Sequence, residues 1–181
     1  MVSLIIGLVA DISAGKDTVA RYLAEKYSFE RFTLSDILRE IAKKRNIEPN
    51  RENLMKIIRK LREKEGETAL VKRAIKRFEK DRVVIAGIRK PEEIVYLRKQ
   101  FPGKVKIIRL TADAKIRFKR IKKRARIGDP KTLKEFLEQE KKEHKEFDYE
   151  SIFEMADYTI KNNGTLEELY KKIDSILQSI K

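Results

Sequence analysis

The chain has no cysteine, which excludes disulfide staples and thiolate metal sites. It has no tryptophan and a single histidine, His144, set in the polar run Lys141-Lys142-Glu143-His144-Lys145. With so little to build from, no Cys–His or Ser–His–Asp arrangement is read. His144 is expected on the surface, and no metal cluster of histidine and carboxylates is expected. Long apolar runs are also missing. The N-terminal run of about nine residues is too short to span a bilayer and lacks the basic flank of a signal peptide. The expectation is a soluble, cytoplasmic protein without a membrane partner.

Negative charge is in short supply too. Lys+Arg number 44 against 29 for Asp+Glu, a formal net charge of +15 over 181 residues. That length suits one domain with a sizeable core. Charged residues make up 40% of the chain, and abundant Lys and Glu without Cys is a composition reported for hyperthermophile proteins. Solvated surfaces account for much of the charge but not for its sign. The surplus points to anionic partners: nucleotides, coenzymes or nucleic acid.

Against this background Leu4 to Thr18 stands out. Leu4-Ile5-Ile6-Gly7-Leu8-Val9-Ala10 reads as a strand buried on both faces, and Val19, Ala20, Tyr22 and Leu23 repeat with helical spacing. Between them lies Asp11-Ile12-Ser13-Ala14-Gly15-Lys16-Asp17-Thr18. A strand, a small-residue loop, a lysine and a helix form the phosphate-cradling P-loop arrangement. Its backbone N–H groups hold phosphates and its lysine reaches their outer oxygens. The pattern G-x-x-x-x-G-K-[ST] is departed from twice. Ala10 replaces the first glycine, and would be strained if that position needed φ > 0. Asp17 replaces the residue that meets Mg²⁺, with Thr18 next to it; a carboxylate is still a hard oxygen ligand.

The rest of the chain alternates. Phe29–Thr33, Val83–Gly87, Lys104–Leu110 and Tyr158–Ile160 read as further strands. Helices are expected from Asp36 (capped by Thr33 or Ser35), from Asn50 to Gly66, and through Leu70 to Phe78. Others are expected from Pro91, from about Asp113 to Arg126, from Thr132 to about Lys145, and after the capping box Thr165-x-x-Glu168. Such alternation means an α/β fold with a parallel sheet, whose ligands gather at the carboxyl ends of the strands. That rule collects residues 10–18, 33–39, 86–92, 111–117 and 161–165 at one edge.

Within these loops, Arg39 shares a helix face with Asp36 and can grip a phosphate bidentately, or simply pair with Asp36 on the surface. Arg89 follows the third strand. Residues 115–126 hold eight basic side chains and no acidic one, a face better explained by phosphates over the active site than by solvation. RNA is the competing ligand, but no aromatic base-stacking motif accompanies the charge.

At these residues the chain resembles the P-loop small-molecule kinases, the nucleoside monophosphate kinase and dephospho-coenzyme A kinase group, over nearly its whole length. Gly15-Lys16-Asp17-Thr18 is similar to the loop ending of deoxynucleoside monophosphate kinases, and Ser35-Asp36-Ile37-Leu38-Arg39 to the adenylate kinase segment whose Arg holds the acceptor. Gly87-Ile88-Arg89 resembles a second acceptor-binding arginine. Arg117–Arg126 with Gly128-Asp129-Pro130 looks like the closing lid, and Ala156-Asp157-Tyr158 with Asn163-Gly164-Thr165 like the segment near the donor adenine.

The resemblance implies a three-layer P-loop NTPase fold, with five parallel strands in the order 2-3-1-4-5, helices on both faces and a helical lid. Residues 1–34, 82–116 and 145–181 would form the core, 35–80 the acceptor-binding helices and about 117–140 the lid. It implies transfer of the γ-phosphoryl of ATP, with Mg²⁺, to a small phosphorylated acceptor, by a monomer or homodimer. Lys16, Arg120 and Arg124 would act on the transferring group. Ser13, Ala14, Gly15, Lys16, Asp17, Thr18, Arg126, Asn163, Gly164 and Thr165 would hold the donor. Asp17 and Thr18 would serve the metal, and Asp36, Arg39 and Arg89 the acceptor.

A nucleoside or deoxynucleoside monophosphate needs no general base. Dephospho-coenzyme A would need one, and Asp36 is placed to supply it. The carboxylate usual after the third strand is replaced by Ala86. An ATP-binding regulator, or an RNA- or ribosome-associated NTPase with weak turnover, is therefore carried as the alternative.

Overall fold

The computed structural model describes residues 1–125 and 129–180. Among the described residues the chain runs β1(Leu4–Ala10), α1(Lys16–Tyr27), β2(Glu30–Thr33), α2(Leu34–Lys44), α3(Arg51–Glu65), α4(Ala69–Ile75) and β3(Arg82–Ala86). It continues through α5(Pro91–Gln100), β4(Val105–Thr111), α6(Ala114–Arg124), α7(Leu133–Phe147), α8(Tyr149–Glu154), β5(Tyr158–Lys161) and α9(Leu166–Ser179). All strand pairings are parallel and the order is β2-β3-β1-β4-β5, as the resemblance implied.

β1 occupies the centre because its side chains are apolar on both faces. Ile5 and Val9 pack under α2–α5 and α8, while Ile6, Leu8 and Ala10 pack on α1 and α9. Fully burying each Ile or Leu contributes about 1.5–3 kcal/mol. Gly7 permits the fit: a Cβ there would lie 2.6 Å from Ile107 Cδ1 and 2.9 Å from Ile88 Cδ1.

The helices begin where short polar side chains satisfy free N–H groups. Asn50 accepts from Asn53 N at 2.9 Å, Thr132 from Glu135 N at 3.1 Å, and Thr165 and Glu168 close a reciprocal capping box. α2 departs from expectation. Its N-cap is Thr33, still the last residue of β2, whose side chain makes no capping hydrogen bond. Ser35 instead accepts from Arg39.

The short α8 is an addition to the expected elements. Asp148, in a left-handed conformation at φ 51°, ends α7 and starts α8 with its own carboxylate. On the opposite face Asp174 of α9 accepts from Tyr22 and Tyr27 hydroxyls at 2.7 Å and from Lys26 at 2.8 Å, fastening α9 to α1. No helix among the described residues is long and apolar enough to cross a membrane.

Candidate functional site

The loop from β1 to α1 turns at two left-handed residues, Ser13 at φ 60° and Gly15 at φ 111°. Ala10 is not one of them; it ends β1 in the strand, so its methyl is no source of strain. The odd position is Ser13, where a side chain sits in a conformation that glycine adopts freely. Gly15 has no substitute, because a Cβ there would lie 2.6 Å from Asn162 Nδ2. That amide is committed: Asn162 Nδ2 donates to the Ala14 carbonyl at 2.9 Å, bracing the loop from the β5–α9 connection.

α1 begins at Lys16, so the unpaired N–H groups of its first turn open above Gly15. Lys16 Nζ rests 2.9 Å from Asp17 Oδ1, a pair exposed enough to exchange partners at little cost. Facing it is α6 of the expected lid. Arg120 donates to the Asn162 carbonyl at 2.8 Å and to Ser13 O at 3.4 Å, and burial lowers its pKa. Arg124 is held by Asp129 at 2.6 and 3.0 Å. Together Ser13, Gly15, Lys16, Asp17, Thr18, Arg120, Arg124, Asn162 and Gly164 line a cleft of about 430 Å³. Asn163 lies beside it, accepting from Asp113 N at 2.9 Å, while Thr165 is occupied in capping α9. Arg126 and Gly128 fall outside the described residues.

Asp36, Arg39 and Arg89 are not among the residues lining this cleft. β3 pairs with β2 through Thr33 and Ala86, so α2 and the loop after β3 start side by side on the same rim. Arg39 Nη1 donates to Asp36 Oδ1 at 2.6 Å and to Ser35 Oγ at 2.9 Å, with both ion-pair partners about half exposed. Arg89 lies over the Phe147 ring at 5.0 Å. Its backbone N–H donates to Glu93, fully buried at the start of α5. Burial pushes the Glu93 carboxyl up to about 7, against backbone N–H bonds from Arg89 and Lys90 and the nearby Arg62 charge.

Sequence reasoning missed a second group. Asp11, just past β1, is buried and accepts from Thr111 Oγ1 at 2.9 Å. The basic face of α6 is not wholly turned to the cleft, for Arg117 is buried and pairs with Glu140 of α7 through both nitrogens of its fork, Nη2 to Oε2 at 3.0 Å. His144 is not a plain surface residue. It packs edge-on to Tyr149 at 4.9 Å between ring centroids and to Phe153 at 5.9 Å, with Nε2 3.2 Å from Asp11 Oδ1. The expectation of no histidine–carboxylate cluster is thereby corrected. α7 puts Phe136, Glu140, Glu143 and Phe147 inward at spacings of three and four, and the carboxylates among them disguise the face as polar.

For Mg²⁺, Asp17 and Thr18 bring hard oxygens to the cleft wall, while Ala86 at the end of β3 brings none. The residues present thus fit the ion through the loop itself.

Residues 6–148 match the family model described as an AAA domain. The UPF0200 protein of Pyrococcus horikoshii is 36% identical over 98% of this chain and 97% of its own length. The chain is a UPF0200-type member of the AAA domain family. A UPF0200/UPF0201 protein of Archaeoglobus fulgidus is 34% identical, and of that longer relative the chain spans 54%. Among solved structures, this AAA domain resembles a shikimate kinase from Acinetobacter baumannii in complex with shikimate, with a TM-score of 0.59, 23% identity and 98% and 94% of the two chains covered. It also resembles a Thermus thermophilus protein at a TM-score of 0.62 and 17% identity over the whole of both chains. These likenesses establish the P-loop kinase fold.

Proposed function

We propose that the chain is an ATP- and Mg²⁺-dependent phosphotransferase that moves the γ-phosphoryl to a small phosphorylated acceptor, a nucleoside or deoxynucleoside monophosphate. The observation that carries this reading is the meeting of Lys16 with Arg120 and Arg124 across one cleft, with a helix N-terminus at its base. Phosphoryl transfer asks chiefly for positioning and for cations around the transferring group, and that is what the cleft offers.

The loop amides and Lys16 bind the β- and γ-phosphates, Lys16 leaving Asp17 to do so. Asp17 and Thr18 would hold Mg²⁺, whose charge would offset that of the phosphate oxygens. Arg120 and Arg124, now on Ser13 O, Asn162 O and Asp129, turn to the γ-phosphoryl as the lid, about 117–140, closes. Arg39 and Arg89, with the helices of residues 35–80, hold the acceptor. Asp36 is already engaged by Arg39, which favours an acceptor that needs no base over the dephospho-coenzyme A hydroxyl. The burial of Arg117 removes one charge from the face that an RNA would require.

The test is ADP release from ATP–Mg²⁺ against all NMPs, dNMPs, dephospho-coenzyme A and no acceptor, assayed hot. Acceptor-dependent turnover with a monophosphate is expected, falling about 10²–10³-fold in Lys16→Ala, the usual size of one lost charge-stabilising donor. Turnover without an acceptor, or stimulated by RNA, would overturn the kinase reading in favour of an NTPase.

A further inference from the structure

We propose that Asp11, Glu140 and His144 form a site for a divalent transition metal that joins α7 to the end of β1. One oxygen from each carboxylate and one imidazole nitrogen all lie within 4.8 Å of one another. Asp11 and Glu140 are only 7% and 9% exposed.

The telling detail is His144 Nε2. That atom is sealed from solvent and has no hydrogen-bond partner among the described residues, although Asp11 Oδ1 is 3.2 Å away. A buried imidazole nitrogen left without a hydrogen bond beside a carboxylate oxygen is a polar pair that a shared cation would satisfy. Neighbouring ligands of one tetrahedral ion with bonds of 2.0–2.2 Å stand about 3.3–3.6 Å apart, slightly more than this pair.

The surroundings hold the ligands in place as an outer shell does. Thr111 Oγ1 fixes the other Asp11 oxygen at 2.9 Å, and Arg117 grips Glu140. Each carboxylate oxygen keeps a lone pair beyond those bonds. Tyr149 and Phe153 fix the plane of the imidazole. Glu140 and His144 are four apart on α7 and so share its inward face. Arg117 opposes a cation, but two buried carboxylates outweigh it.

One nitrogen and two oxygens suit Zn²⁺ or Co²⁺ and suit Mg²⁺ poorly. His144 also borders a separate cavity of about 820 Å³ together with Arg109, Lys141 and Phe153. Bound there, it would tie the expected lid to the phosphate loop. The site does not depend on the nucleotide reading.

The chain's single histidine makes the test direct. The full chain, stripped of metal and free of nucleotide, is titrated with Zn²⁺ while the imidazole nitrogens are followed by NMR. One equivalent should shift Nε2 far more than Nδ1, and excess Mg²⁺ should not reverse it. Equilibrium dialysis should show at least tenfold weaker Zn²⁺ binding in Asp11→Asn and His144→Ala, and unchanged binding in Lys16→Ala. An unmoved imidazole, reversal by Mg²⁺, or loss of binding in Lys16→Ala would each overturn the proposal. The wild-type titration decides the matter even if a variant fails to fold.

Discussion

At the cleft above the β1–α1 loop, position is set by backbone: two left-handed residues, a helix N-terminus and an asparagine amide bonded to a loop carbonyl. Along the rim assigned to the acceptor, the chemistry hangs on side chains instead. Arg39 is half exposed and paired with Asp36, and Arg89 rests on an aromatic ring. In the first region the backbone is already in place, and only Lys16, Arg120 and Arg124 must leave present contacts. In the second, every group assigned to binding must do so. A phosphate is the same in every nucleotide, so a fixed backbone cradle serves it, whereas acceptor choice needs groups that can be rearranged.

This contrast can be broken by variants, beginning with the largest effect. Glu140→Ala leaves Arg117 buried beside the cleft without its partner and should cost about 3–5 kcal/mol in denaturant unfolding. Replacing both residues by Met and Leu should restore most of that loss. If the single variant costs little, the cleft is less rigid than its geometry states.

Next comes the support beneath the acceptor rim. Because the Glu93 carboxyl is raised to about 7 from its ordinary 4.5, the folded chain keeps a proton that the unfolded chain has shed. Stability should therefore fall as pH rises through that window, by on the order of 3 kcal/mol, and level off above it. Glu93→Gln should flatten that part of the stability–pH curve.

Gly15→Ala sharpens the comparison from the donor side. A side chain at φ 111° against Asn162 should lower stability by about 1–3 kcal/mol and weaken ATP binding, read by thermal unfolding and calorimetry. Arg39→Ala should barely move stability, by less than about 1 kcal/mol, since an exposed ion pair contributes little. It should raise the acceptor KM while leaving the ATP KM alone. If it disturbs both, the two regions are not separate.

The same contrast explains what was legible in the sequence. The strand–loop–helix of residues 4–27 announced itself because each signal is local: an unbroken apolar run, Gly15-Lys16, then helical spacing. Strand order came only from resemblance, since pairing between β1 and β4 joins residues about a hundred apart. Asn162 and Asp11 fell within the loops collected at the sheet edge, but their roles were hidden for that reason, each working through a partner elsewhere in the chain. His144 does reach the surface, its side chain 37% exposed, but its contact with Asp11 was missed because α7 buries carboxylates, so the usual equation of polar with exposed failed on its inward face. The signal that could have found it was the inward pattern Phe136, Glu140, Glu143, Phe147, charged yet helically periodic.

The central place of β1 has a consequence for how the chain is made. Its seven apolar residues leave the ribosome well before either neighbour, β3 or β4, exists to hydrogen-bond with them. At ordinary synthesis speeds the wait for Leu110 lasts roughly 5–20 s, far longer than collapse takes. Until β3 is made the strand is an unpaired, sticky ribbon with only β2 and α1–α4 for shelter, and its other edge stays open until β4 follows. Aggregation is therefore to be expected during synthesis rather than from the finished fold, where β1 is paired on both edges.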